Sequence, residues 1–216
     1  MSATLGPLLV DAADPATMSS FWSAAVGTRA QRRLLRFMPQ REAKSVKNRV
    51  HLDVGVGPGL DGVDRLESLG ARVLADHRPG WVTMADLEGN EFCAFPGRPA
   101  GDGVPARVFA ICTDSDRPEE LAAWWAARLG ARIGPGPDRT PRWLHGCPGW
   151  EDLVWKFVRV EDVRTAPNRW RWSVAARVDE LLAAGALLLP DGTLSDPQGN
   201  EFSAEFSAAG PTRPAG

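Results

Sequence analysis

Apolar and polar residues alternate along this chain in short runs, separated by stretches in which apolar residues recur every three or four positions. Val50, Leu52 and Val54 alternate with Arg49, His51 and Asp53, so Lys47 to Val54 predicts a strand with one apolar face and one chemically active face. Phe92 and Ala94 alternate likewise with Glu91, Cys93 and Phe95, which places those three with the polar set if both strands share a sheet. Between them, Val63, Leu66 and Leu69 mark one face of a helix that closes at Gly70. Val73 to Ala75 and Trp81 to Ala85 follow as strands, punctuated by His77-Arg78-Pro79-Gly80 and Asp86-Leu87-Glu88-Gly89-Asn90. The predicted unit is therefore one strand, one helix and three strands.

The same order recurs on both sides. Leu5 to Val10 predicts a strand, and Asp14-Pro15 opens a helix whose buried face is Met18, Phe21, Trp22, Ala25 and Val26, closed by Gly27. Leu34, Leu35, Phe37 and Met38 give a strand ending at Pro39. The chain from Gly27 to Pro39 is too short for three strands, so this unit lacks a hairpin. Pro96 to Pro105 is rich in Pro and Gly and has no periodicity, as a linker does. Arg107 to Thr113 then restarts as a strand, and Pro118-Glu119-Glu120 opens a helix ending at Gly130. A constant offset lays Leu121, Trp124, Trp125, Leu129 and Gly130 on Met18, Phe21, Trp22, Val26 and Gly27. A second offset lays Lys156-Phe157 on Arg36-Phe37, Arg164-Thr165 on Lys44-Ser45, and Asn168-Arg169 on Asn48-Arg49. Gly199-Asn200-Glu201-Phe202 repeats Gly89-Asn90-Glu91-Phe92. The chain is a tandem duplication, with domains over 1–97 and 106–207, a linker over 98–105 and a flexible Pro/Gly tail over 208–216.

Composition narrows the class. Apolar residues make up 44% and charged residues 24% of the 216, as in ordinary globular proteins. A net charge of −2 gives no electrostatic ground for nucleic acid or an anionic membrane as partner. No run is long and apolar enough for a membrane span, and no signal peptide is evident. Cys93, Cys112 and Cys147 form no Cys-x-x-Cys spacing, so neither a disulfide framework nor a structural zinc site is indicated, and a reducing, cytoplasmic location is expected. Of the nine tryptophans, Trp22, Trp125, Trp170 and Trp172 fall at core positions, whereas Trp81, Trp143 and Trp150 are unexplained by periodicity.

The words Lys47-Asn48-Arg49-Val50-His51-Leu52-Asp53 and Asp86-Leu87-Glu88-Gly89-Asn90-Glu91-Phe92-Cys93, echoed by Asp196-Pro197-Gln198-Gly199-Asn200-Glu201-Phe202, resemble the glyoxalase/bleomycin-resistance group, the vicinal oxygen chelate superfamily, and within it the glyoxalase-like subgroup. The resemblance runs from about Leu5 to Phe206. It implies an α+β fold of four βαβββ-type modules, the first and fourth abbreviated, paired into two glyoxalase-like domains with cupped mixed β-sheets. It also implies a divalent metal, such as Zn, Fe, Mn or Ni, held in the first domain by His51 and Glu91. The approximate counterparts of these two in the first module, Leu8 and Leu34, cannot bind a metal. In the second domain Arg171 replaces His51 while Glu201 remains, and a charge-assisted bond between Arg171 and Glu201 is expected where a metal would otherwise lie.

Candidate ligand-binding residues are Arg36, Trp81, Cys93, Trp143, Lys156, Arg171 and Glu201, because aromatic walls with a few polar groups suit a small-molecule cleft. Three functions compete. One is metal-free binding of a small planar or aromatic molecule, as in the bleomycin-resistance relatives. A second is a metal-dependent isomerase, lyase or dioxygenase polarising vicinal oxygens, and a third is a degenerate interaction module. A small-molecule partner is expected, with the chain a monomer or homodimer.

Overall fold

The computed structural model describes residues 3–57, 61–98, 100 and 103–206. The expected tail over 208–216 lies outside these residues, as do three positions of the linker and Pro58-Gly59. In chain order the elements are β1 (Thr4–Ala12), α1 (Pro15–Val26), α2 (Thr28–Leu34), β2 (Leu35–Pro39), β3 (Val50–Val56), α3 (Asp61–Ser68), β4 (Arg72–His77), β5 (Trp81–Ala85) and β6 (Glu91–Pro96). After the linker come β7 (Ala106–Ser115), α4 (Pro118–Leu129), β8 (Arg132–Pro135), β9 (Pro141–His145), β10 (Val154–Arg159), β11 (Trp170–Ala176), α5 (Val178–Ala183), β12 (Leu187–Leu188), β13 (Leu194–Ser195) and β14 (Glu201–Phe206).

The abbreviations foreseen in the first and fourth modules are present. In the first module α2 occupies the place of the hairpin, a helix the apolar pattern did not announce. Thr28–Leu34 is built of good helix formers, and Gln31 ties it down by donating from Nε2 to the Leu35 carbonyl at 3.1 Å. In the fourth module the helix has six residues and two of the strands only two each. As predicted, the Asp14 carboxylate caps α1, accepting from the Ala16 and Thr17 amides.

The strands form two sheets, ordered β12-β13-β14-β11-β1-β2 and β4-β5-β6-β3-β7-β10-β9-β8. The central contacts are antiparallel. β3 lies on β7, with His51 opposite Cys112, and β1 lies on β11, with Leu9 opposite Arg171. Each sheet therefore combines one module from each sequence repeat: the second and third build the eight-stranded sheet, the first and fourth the six-stranded one. This pairing decides which residues can meet, because the neighbours of His51 come from the third module and not from the first.

The core lies between the sheets and is organised by the two long helices. Trp125 of α4 packs on Trp155 of one sheet and on Trp172 and Phe202 of the other, with ring centroids 5.2, 5.5 and 5.2 Å away. Trp22 of α1 does the same with Phe92 at 5.3 Å and Trp170 at 6.1 Å. All four tryptophans assigned to the core are fully buried. Removing one such ring costs about 3–5 kcal/mol, so these two helices hold the sheets to each other. Trp150 is also buried and donates to the Gly6 carbonyl at 2.9 Å, which makes it a packing residue.

The repeated words are mostly scaffold. Asp86, fully buried, accepts from the Asn90 amide at 2.9 Å and from the Trp22 indole at 3.2 Å, while Asn48 donates to Asn90 Oδ1 at 2.9 Å. Asp196, Asn200, Trp125 and Asn168 repeat that arrangement in the second half. In each case a buried carboxylate closes a turn and anchors a helix tryptophan, and burial pushes both acids above their ordinary range.

Candidate functional site

Strand alternation sets the site. Val50, Leu52, Val54, Phe92 and Ala94 are buried against the helices, which leaves His51, Asp53, Glu91, Cys93 and Phe95 on the helix-free face of the eight-stranded sheet, as the pattern predicted. Asp53 pairs in register with Cys93 on one side and Ala110 on the other. Cys112 pairs with His51 and with Lys156, and Lys156 with Trp143. The topology thus draws side chains from β3, β6, β7, β9 and β10 onto one patch.

The centre of that patch is an ion pair. Lys156 Nζ donates to Asp53 Oδ2 at 2.7 Å, and the side chains are 13% and 4% exposed. The Cys112 thiol donates to the same oxygen at 3.2 Å, and His51 Nε2 lies 3.7 Å from Asp53 Oδ1. Three rings surround the ammonium, with centroids 4.9 Å away for Phe109, 4.9 Å for Trp143 and 5.6 Å for Phe95. Phe95 packs edge-on to Phe109 at 5.3 Å, and Trp81 lies against Phe95 at 6.1 Å, itself 39% exposed at the rim. The Trp143 Nε1 donor is buried and has no acceptor among the described residues.

The protonation states follow from burial. Desolvation holds the largely buried His51 below the ordinary imidazole value, against the pull of Asp53 and Asp114, so the ring is neutral at neutral pH. Burial, reinforced by the Asp53 charge, pushes the Cys93 thiol up to about 12 and the Cys112 thiol well above its usual value. Neither cysteine is a thiolate as the site stands.

The structure divides the sequence candidates between two sheets. Trp81, Cys93, Trp143 and Lys156 lie on the eight-stranded sheet: Trp143 flanks Lys156, Cys93 lies beside His51 and Asp53, and Trp81 rests on Phe95 at the rim. Arg36, Arg171 and Glu201 lie on the helix-free face of the six-stranded sheet, where Arg36 and Arg171 flank Leu9. The expected Arg171–Glu201 bond is replaced by two others. Arg171 forms a bidentate pair with Asp11 at 2.6 and 3.1 Å, and Glu201 accepts from Arg164 at 2.8 Å and from the Asn168 amide at 3.1 Å. Glu91 behaves as Glu201 does, accepting from Lys44 at 2.7 Å and from the Asn48 amide at 3.2 Å. In both halves the loop before the strand reaches back and occupies the glutamate.

That commitment bears on the metal implied by the resemblance. The donors that converge are His51, Asp53 and Cys93, whose ligand atoms lie within 4.8 Å of one another, and Glu91 is not among them. Of the three, Asp53 is already paired with the Lys156 ammonium at 2.7 Å. That cation occupies the one carboxylate a divalent ion would need here, so the residues as arranged do not fit one. Asp53 and Cys93 are the residues of the sequence reading able to add donors beside His51, whereas Cys112, Phe95 and Phe109 are not among the expected site residues. Asp53 and Phe95 follow His51 and Cys93 by one strand period, whereas Cys112 and Phe109 become visible only once β7 is known to adjoin β3.

Among the described residues no helix is long and apolar enough to cross a membrane. Comparison with solved structures places the architecture among known ones. Glyoxalase I from Zea mays superposes with a TM-score of 0.64 at 10% identity, covering 94% of this chain and 92% of that one. A candidate dioxygenase from Bacillus subtilis gives 0.62 at 12% identity, covering 95% and 85%. No curated protein matches the sequence. The model of the glyoxalase-like domain matches residues 7–95 and again 110–204. With both repeats matched over most of their length, the chain belongs to the glyoxalase-like domain family.

Proposed function

We propose that the chain binds a small planar molecule bearing an anionic oxygen group on the helix-free face of the eight-stranded sheet, without a metal. The observation that carries this reading is Lys156, a cation enclosed by Phe95, Phe109 and Trp143. Its ammonium has three protons, of which the Asp53 bond uses one. Together with the unpartnered indole of Trp143, it offers two donors to a carboxylate or phenolate whose ring lies among the aromatic walls.

Thermal unfolding with benzoate, salicylate and naphthoate tests this. At least one should raise the melting temperature of the parent, and the shift should shrink in Lys156→Gln and in Trp143→Leu, each measured against its own baseline. Loss of a charge-assisted bond weakens binding by roughly tenfold to a hundredfold. A parent unmoved by all three, or variants that respond as the parent does, overturns the reading. The second reading, a metal-dependent enzyme, is favoured by the convergence of His51, Asp53 and Cys93 within 4.8 Å. It requires that metal raise the parent's melting temperature where the aromatic acids do not.

A further inference from the structure

We propose that the Lys156 ammonium is what bars a divalent cation from a three-donor site formed by His51, Asp53 and Cys93, so that the site is latent in this chain and opens when the charge is removed. The proposal does not rest on ligand binding by the parent protein. It rests on two arrangements. One nitrogen, one carboxylate and one sulfur ligand atom lie within 4.8 Å of one another, a mixed N/O/S set suited to Zn(II) or Co(II), with a fourth position open to water. Lys156 Nζ lies 2.7 Å from the one anionic member of the set.

Lys156 is not placed there loosely. Its strand β10 runs parallel to β7, pairing Lys156 with Cys112, and Trp143 of β9 faces it from the other side. The rings of Phe109 and Trp143 at 4.9 Å, and of Phe95 at 5.6 Å, hold the ammonium by cation–π attraction. A divalent ion would meet this like charge at close range and would have to compete for Asp53. The donors also differ from the pair implied by the family resemblance. Glu91 is held by Lys44 and the Asn48 amide, and Asp53 and Cys93 take its place beside His51.

Opening the site is a substitution of charges. With the ammonium gone, Asp53, the His51 nitrogen and Cys93 would hold the ion, and the Cys93 thiol proton would pass to buffer on binding. In the parent, an ammonium beside Asp53 makes each of these steps less favourable.

The test is equilibrium dialysis of Co(II) against the parent, Lys156→Gln, Lys156→Ala and Lys156→Arg, with near-ultraviolet and visible absorption spectra and circular dichroism of each. The neutral variants should bind one equivalent with a thiolate-to-cobalt charge-transfer band, at an affinity roughly a hundredfold or more above the parent's, the scale set by one adjacent like charge. The parent and Lys156→Arg should show no such band, and adding Cys93→Ser to a neutral variant should abolish it. Lys156→Gln keeps the stem and a donor for Asp53, so it carries the test if Lys156→Ala does not fold. A charge-transfer band in the parent or in Lys156→Arg shows that the cation does not bar the metal. Folded neutral variants that take up no cobalt show that the three donors do not make a site. Either result overturns the proposal, and neither bears on whether aromatic acids bind the parent.

Discussion

Replacing Lys156 by Met keeps the aliphatic stem among the rings and removes only the ammonium, which isolates the electrostatic part of the site. Asp53, 4% exposed, is then left with the 3.2 Å bond from the Cys112 thiol, a weak donor, in place of a 2.7 Å bond to a cation. Breaking a buried pair from one side typically costs about 3–5 kcal/mol, because the remaining charge is desolvated and unpaired. Asp53→Asn should cost less, about 1–3 kcal/mol, since the ammonium keeps its aromatic neighbours and retains 13% exposure. The double variant removes both charges, so its cost should fall short of the summed single costs by roughly 2 kcal/mol or more. Urea unfolding followed by tryptophan emission and by circular dichroism supplies the four free energies. Single costs below about 1 kcal/mol that simply add would refute the reasoning, since that is how a solvated surface pair behaves.

Three further outcomes follow from the same geometry. Burial lowers the folded-state value of His51, so its contribution to stability is present in full above the unfolded imidazole value of about 6.5 and is lost as pH falls through the lower folded value. His51→Gln should remove that acid-side loss from the pH–stability curve, and a wild-type slope retained by the variant would contradict it. Glu91→Gln weakens the bonds to Lys44 and the Asn48 amide, which should lower stability by about 1 kcal/mol and leave aromatic-acid affinity unchanged in a titration. Gly149 has a φ of 89°, and a Cβ there would lie 1.9 Å from the Leu5 carbonyl oxygen. Gly149→Ala should therefore cost about 3 kcal/mol or more, seen as a fall in the urea midpoint.

Much of the fold was legible because period-two alternation and helix caps are local. The strand of His51, the Asp14 cap and the four core tryptophans lie where the pattern placed them. The pairing of modules was not legible. It is fixed by contacts such as His51 opposite Cys112 and Leu9 opposite Arg171, between residues far apart in sequence and without a local signature. Without that pairing the counterparts of His51 and Glu91 fall at Leu8 and Leu34 of the first module, which cannot bind a metal, and Cys112 and Phe109 carry no local sign that β7 adjoins β3. The motif words also mixed two roles. Asp86, Asn90 and Asn48 recur as Asp196, Asn200 and Asn168 because they close the same buried turn in both halves. The candidate site falls where the repeats diverge, with His51, Asp53 and Lys156 on one sheet and Arg171, Ser173 and Arg36 at the matching places on the other. The pairing of Arg171 with Asp11, and of both glutamates with loop cations, depends on loops whose path the alternation pattern does not encode.

The most direct measurement is isothermal titration of salicylate and naphthoate into chelator-dialysed protein, repeated after addition of Zn(II) or Mn(II) and with Lys156→Gln. The account predicts binding to the metal-stripped parent, the same affinity with metal present, and a loss of roughly tenfold or more in the variant. Binding that appears only after metal is restored, or that is indifferent to Lys156, would contradict a metal-free site organised by that lysine.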